Sequence, residues 1–499
     1  MERFFANPIY GGQDPFVCKG PDGRYYGVAE SVDSRQIEVF SSDRLTDRGI
    51  RRVAYEAAES GPSSADLWAP EIWYLRGKWY IYYAGASAPG MRNWDTHRMY
   101  VLEAEDPMGP YRFAGQLELG EYMSIDGTVL ELPDGRLIFI YMRKSEDMNT
   151  LFMAPMSSPT KICGEPVMLT KPEYLWESDI TEGPFPIVRN GKVSVMYAAN
   201  AAHLPEYCLA LLHCTDPENI LDPGVWVKEP QPILVGNKDI IGPGHACIVP
   251  SPDGLEDWLL FHSKFDCDNT LPGGWNRVIN LLRVRWDQQE RPVFAPLAAR
   301  GEAIPVPSGE RPPAEGGNIC LRLGEAADDL AEYGYYREKT IFYEGDSLRI
   351  KGSVCPGYGD KVLVRNAVWD DFEAECVMDP FSGESGLLFR VEMPATGAYL
   401  WRGCGVYFRE KHWRLVRCDG KSLTDLAAGI LTDNGERRLR VRAVGKTVML
   451  WLKDTLLCRV TVPEIPGEGR IGLGTLGGDG RFIRLSVTIG SHLCDGYTE

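Results

Sequence analysis

Five side chains suited to proton transfer, charge stabilisation or ring stacking recur at one phase in this sequence. Asp14, Trp68, Asp126, Glu182 and His245 each stand nine positions before a turn glycine, namely Gly23, Gly77, Gly135, Gly191 and Gly254. Equal phase in an internal repeat predicts equivalent places in space, so radially arranged units would bring three carboxyl groups, an indole and an imidazole to one axial pocket. Two carboxyl groups facing each other across such a pocket could cleave a glycosidic bond. One would protonate the leaving oxygen, while the other activates water or attacks the anomeric carbon. A third carboxylate nearby would raise the pKa of the acid and keep it protonated near neutrality. Taken singly, each residue has an ordinary explanation: Asp14-Pro15 and Asp126-Gly127 read as turns, and Glu182-Gly183-Pro184 reads as the start of a strand. The shared phase is what sets them apart. Asp66, Glu71, Asn200 and His203 lie close in sequence but off that phase, and are not counted among them.

The elements that must position these groups are strands. Successive turn glycines are 54, 58, 56 and 63 residues apart, a period typical of propellers and solenoids. Each turn is followed by an aromatic and β-branched run, such as Lys78-Trp79-Tyr80-Ile81-Tyr82-Tyr83 or Arg136-Leu137-Ile138-Phe139-Ile140-Tyr141, which suits a pleated surface. Asp-Gly and Asn-Gly supply the positive φ of a primed two-residue turn, so each unit is expected to open with a hairpin. Further short strands follow, and four strands per unit predict a five-bladed β-propeller.

The 499 residues exceed one usual domain. The Ile304 to Pro313 segment, rich in proline and polar residues, predicts a seam. A propeller is therefore expected over 1–303, a connecting segment over 304–338 with a short helix at Gly324 to Glu332, and a second all-β domain over 339–492. That domain reads as a sandwich from alternating runs such as Phe372-Glu373-Ala374-Glu375-Cys376-Val377. The whole is all-β. A net charge of −17 excludes partners held through phosphate, nucleic acid above all. No apolar run reaches the length of a membrane span, and Met1 to Pro8 lacks the charged start and apolar stretch of a secretory signal. Thirteen scattered cysteines without a CxxC pair read as free thiols. Both observations predict a cytoplasmic protein. The field of a negative chain leaves neutral sugars unaffected, and an aromatic share of 11% offers flat faces on which they can stack.

The segments Gly12-Gln13-Asp14-Pro15-Phe16-Val17, Leu67-Trp68-Ala69-Pro70-Glu71-Ile72, Ile125-Asp126-Gly127-Thr128-Val129-Leu130, Thr181-Glu182-Gly183-Pro184 and Gly242-Pro243-Gly244-His245-Ala246 together resemble glycoside hydrolase family 43. The resemblance covers roughly the first 300 residues and implies a five-bladed propeller that hydrolyses glycosides with inversion. It further implies Asp14 as general base, Glu182 as general acid and Asp126 as the carboxylate that tunes and orients the acid. Arg277, nine residues before Trp286, matches a sugar-binding arginine, Trp68 a wall of the innermost subsite, and His245 the axial histidine. No cofactor is required. A Ca²⁺ near His245, reached through water, is the one metal the resemblance suggests. Past the seam, Ser385-Gly386-Leu387-Leu388-Phe389-Arg390 and Gly469-Arg470-Ile471-Gly472-Leu473 resemble a concanavalin or laminin-G-like sandwich.

The expected activity is exo-acting release of terminal α-L-arabinofuranosyl groups from plant-type oligosaccharides, with β-D-xylosidase as the alternative. A non-catalytic carbohydrate-binding protein is the alternative of another class. The expected partner is a small carbohydrate, with no nucleic acid and no membrane.

Overall fold

Alternation of aromatic and β-branched residues with turn glycines produces strands nearly everywhere in the computed structural model, which describes residues 3–89, 91–264, 276–334, 340–352, 359–380, 382–432 and 435–490. The chain divides into two units, one comprising residues 12–299 with 307–310, the other residues 1–11, 300–306 and 311–499.

The first unit is the five-bladed propeller. Its innermost strands are Phe16–Lys19, Ala65–Leu75, Ser124–Glu131, Thr181–Arg189 and Ile241–Pro250. In the first four blades the innermost strand opens an antiparallel sheet that runs outward in sequence order, as in Thr181–Arg189, Lys192–Ala199, Cys208–Cys214 and Trp226–Lys228 of the fourth. Every innermost strand packs against the next, and the fifth packs against the first, so the ring closes. The faces between blades are filled by large buried side chains. Tyr82, Phe139, Tyr141 and Tyr197 belong to one cluster running from the second blade to the fourth. Each such side chain contributes about 1.5–3 kcal/mol by leaving water.

The turns are of two kinds. Arg76-Gly77 and Asn190-Gly191 are the expected two-residue turns, with both residues at positive φ. The other three are longer, because Gly20-Pro21-Asp22-Gly23, Leu132-Pro133-Asp134-Gly135 and Ser251-Pro252-Asp253-Gly254 each place a proline second, where it has no N–H to extend the ladder. In each of these the glycine N–H donates back to the first residue, at 2.9, 2.8 and 2.9 Å. This divides the nine-residue repeat into two classes. Asp14, Asp126 and His245 lie five residues before the last paired residue of their strands (Lys19, Glu131 and Pro250). Trp68 and Glu182 lie seven before theirs (Leu75 and Arg189). Equal spacing to the glycine thus corresponds to two different spacings to the end of the strand.

The second unit contains an eight-stranded and a seven-stranded antiparallel sheet among the described residues. Side chains of both, including Phe372, Leu439 and Leu485 from one and Leu387, Val406 and Leu473 from the other, form a shared core. This is a β-sandwich. The helix expected at Gly324 to Glu332 does not form. A 3-10 turn, Leu323–Glu325, is followed by a strand, Leu330–Tyr333, which pairs with Lys361–Val364. Tertiary pairing overrides the helical preference of that Ala- and Glu-rich segment.

Candidate active site

The mouth-side ends of the inner strands leave regular β geometry. Asp14, Asp126 and His245 take left-handed backbone conformations, with φ of 44°, 55° and 40°. In the second and fourth blades the residue after the phased one does so, Ala69 at 42° and Gly183 at 52°. Ladder register shifts accompany these positions in the second to fifth blades. A bulge re-aims the side chains beside it, and backbone strain of this kind gathers at functional sites. Gly183 has two reasons to be glycine: its φ, and an added Cβ that would stand 2.9 Å from the His245 ring. Its N–H donates to Asp126 Oδ2 at 3.1 Å, tying the third blade to the fourth beside Glu182.

Asp14 is enclosed by cationic and imidazole groups. Arg277 Nη1 donates to its Oδ1 at 3.0 Å, and His245 Nδ1 stands 3.3 Å from the same oxygen. His262 Nδ1 lies 3.0 Å from Oδ1 and 3.2 Å from the backbone nitrogen of Asp14. One ring nitrogen serves only one of these at a time; in the Nδ1–H tautomer it donates to the carboxylate. Burial by itself would raise the Asp14 pKa, but His245, Arg277 and His262 together hold it well below the usual carboxylate range. Burial and the Arg277 charge push His262 down to about 3, so its imidazole is neutral.

Asp126 and Glu182 are shifted the other way. Both rise to about 7, and they titrate as a pair. Burial is the main cause for each. The Glu182 and Asp14 charges add to it at Asp126, and the Asp14 charge adds to it at Glu182. The Tyr207 hydroxyl donates to Glu182 Oε1 at 2.9 Å and moderates the rise. The cluster therefore holds one carboxylate that stays ionised and a buried pair that holds a proton near neutrality.

The structure brings Asp14, Asp126, Glu182, Arg277 and His245 into one connected group. Trp68 has other neighbours. Its half-buried indole stacks on His97 (centroids 4.2 Å apart, planes at 26°) and lies 5.7 Å from Trp94, while His97 Nε2 stands 3.9 Å from Asp66. Sequence reasoning missed His262 and Tyr207. His262 comes from the second strand of the fifth blade and Tyr207 from the position just before the third strand of the fourth, in or beside apolar runs that look like plain core. The hint was Gly244, where a Cβ would collide with the Tyr207 ring. Glu71, set aside for its phase, is buried in the axis. Trp73 Nε1 donates to it at 2.9 Å, and burial, with the Asp126 charge, pushes it up to about 8.

The donor set does not make a cage for a hard cation. Among the described residues no three His, Cys, Asp or Glu side chains converge on a point a metal could share. His245 turns Nδ1 to Asp14, and Ca²⁺ wants six to eight oxygens.

An exo-α-(1→5)-L-arabinofuranosidase of Streptomyces chartreusis, named as extracellular, is 32% identical over 274 residues, which is 52% of this chain and 82% of that protein. The crystal structure of an α-L-arabinofuranosidase from Lactobacillus brevis matches with a TM-score of 0.56 and 28% identity, covering 59% of this chain and 98% of that one. A xylan β-1,4-xylosidase from Bacillus halodurans C-125 matches with a TM-score of 0.52 over 97% of this chain and 100% of its own, at 16% identity, a likeness of fold.

The extracellular relative overturns the cytoplasmic expectation. The free thiols on which it leaned carry no such message. Burial pushes Cys18, Cys208 and Cys404 up to about 12 and Cys418 up to about 11, which leaves these four thiols little reactive thiolate at physiological pH. The catalytic class is settled by the family: the model for Glycosyl hydrolases family 43 matches residues 5–292, more than half of the chain and nearly all of the propeller, and the chain belongs to that family of glycosidases.

Proposed function

We propose that this protein is an inverting, exo-acting α-L-arabinofuranosidase in which Glu182 is the general acid, Asp14 the general base and Asp126 the carboxylate that tunes and orients the acid. The observation that carries the assignment is the opposite ionisation of the two outer groups. Asp14 is pinned as a carboxylate by Arg277, His245 and His262, while Glu182 is held toward its protonated form. An inverting hydrolysis needs that division of labour at the start of each turnover.

Glu182 gives its proton to the glycosidic oxygen as the bond from that oxygen to the anomeric carbon breaks. Water attacks the anomeric carbon from the opposite face and loses its proton to Asp14, so the cluster ends with the proton moved from Glu182 to Asp14 and is reset by exchange with solvent. Asp126 accepts the Gly183 N–H. It thereby fixes the backbone of the acid, and its own charge helps keep the proton on Glu182. Arg277 orients Asp14 and binds the sugar in the innermost subsite, with Trp68 as a wall of that subsite. The sugar is assigned from the arabinofuranosidase relatives, and the reading of a non-catalytic lectin is set aside with them.

Chromogenic α-L-arabinofuranosides and β-D-xylopyranosides assayed side by side test the assignment. Preferential turnover of the furanoside, with the inverted anomer as first product by NMR, is expected. Preference for the xyloside, or retention, would overturn it.

A further inference from the structure

The ladder of the second blade is interrupted on both sides of Trp68, between Ala65 and Trp68 and again between Trp68 and Glu71. Asp66 and Ala69, which flank it, take left-handed φ of 49° and 42°. Backbone of this kind re-aims a side chain without fixing the ring at its end. The indole is therefore placed by what packs against it.

Two side chains of one short segment do so. His97 lies flat on the indole, with centroids 4.2 Å apart and planes at 26°. Trp94, from the 3-10 turn Met91–Thr96, closes on both rings, 5.7 Å from Trp68 and 5.8 Å from His97. Rings tilted against one another at such distances attract beyond the area they bury.

His97 is itself tightly held. It is fully buried, and its Nδ1 faces the Trp94 carbonyl at 3.0 Å. A carbonyl oxygen can only accept, so Nδ1 carries the proton and donates it there. Nε2 stands 3.9 Å from Asp66 Oδ2. The backbone ties the same residue to the next blade: the Ser124 N–H donates to the His97 carbonyl at 3.1 Å, and Arg98 Nη1 donates to it at 2.8 Å. Ser124 begins the innermost strand of the third blade, which bears Asp126 two residues on. His97 thus joins the Trp68 ring of one blade to the carboxylate-bearing strand of the next.

We propose that His97 is a positioning residue for the reaction, which sets the Trp68 indole in a fixed place relative to Asp126 and so decides how firmly the terminal sugar is gripped. This rests on the reading of Trp68 as a wall of the innermost subsite. His97 acts through the indole and touches no sugar. A histidine that only filled core would lower stability and leave the grip on substrate unchanged.

Steady-state kinetics of the full-length chain on an aryl α-L-arabinofuranoside separate the two roles. His97→Ala should raise KM about threefold to tenfold, as loss of one aromatic pair implies, and leave kcat within about twofold, because a wall grips substrate and transition state alike. His97→Phe, which returns a ring to the indole, should bring KM back to within about twofold of the wild-type value. With Trp68→Ala already in place, His97→Ala should add less than about twofold, since no indole remains to be positioned. Should His97→Ala not fold, Trp94→Ala, at a half-buried position of the same stack, carries the same expectation. An unchanged KM, a loss confined to kcat, a Phe variant as impaired as the Ala variant, or full additivity with Trp68→Ala overturns the proposal. In each of these cases the reading of Trp68 as a wall stands if Trp68→Ala alone raises KM. A wild-type KM in Trp68→Ala overturns both.

Discussion

Tyr207→Phe removes one hydroxyl and keeps the ring that fills the space over Gly244 and stacks on His262, with centroids 5.5 Å apart and planes at 7°. What is lost is the hydrogen bond to Glu182 Oε1, which favours the ionised form of that carboxyl. A hydrogen bond to a charged group is worth about 1.5–3 kcal/mol. The tyrosine oxygen can also accept from the protonated carboxyl, which offsets part of this, and Glu182 is only half-buried. A net effect of about 1.4 kcal/mol corresponds to about one pH unit. The sign is upward: without the donor, Glu182 keeps its proton to higher pH. The basic limb of kcat/KM against pH, measured with an aryl arabinofuranoside, should therefore move up by about one unit, with a smaller change on the plateau below it. A limb that stays in place or moves down refutes the reasoning. The rival source of such a limb is Lys264, whose pKa burial and Arg277 lower to about 7 and whose Nζ lies 5.7 Å from the Tyr207 ring. Its hydrogen bond goes to the Ala202 carbonyl, so Tyr207→Phe should leave Lys264 unmoved and Lys264→Met would then abolish the limb.

Two further outcomes follow from the same cluster. In the wild-type enzyme the profile should be one-sided between about pH 5 and pH 8, level at the acid end and falling above about 7. The base Asp14 is ionised throughout that range while the Asp126–Glu182 pair loses its proton near 7; a clear acid limb near pH 5 to 6 would contradict the account. Asp126→Asn should stabilise the fold more at pH 8 than at pH 5. The folded Asp126–Glu182 pair keeps a proton that the unfolded chain has released between about pH 4 and 7, so wild-type stability falls as pH rises through that window, by an amount on the order of a few kcal/mol, and removing one of the two carboxyl groups relieves that loss. Urea unfolding of both proteins at the two pH values checks this, and a difference independent of pH would contradict it.

The propeller and its acidic centre were legible because both are written in local sequence. Turn glycines fix the period, and the residues nine positions earlier fall on the innermost strands or, for Asp14, two residues before one. The two spacings to the strand end were not legible, since a proline in the second position of a turn lengthens it and uses residues that a simple count assigns to the strand. His262 and Tyr207 were hidden for another reason. They reach the site from behind the innermost strands through ring packing, and a buried histidine or tyrosine in or beside an apolar run looks the same whether it supports a carboxylate or fills a core. Leu330–Tyr333 shows the reverse error: a helical composition yielded to a partner strand about thirty residues further along the chain.

The division of labour between Glu182 and Asp14 is tested most directly by Glu182→Gln on substrates of differing leaving-group ability. With a poor leaving group, such as the next sugar of an oligosaccharide, turnover should fall by about 10²- to 10⁴-fold, the usual contribution of general acid catalysis. With a dinitrophenyl leaving group, which needs no proton, the loss should be far smaller, and the basic limb should vanish. Equal losses on both substrates, or near-normal turnover of the oligosaccharide, would contradict the assignment of Glu182 as the acid.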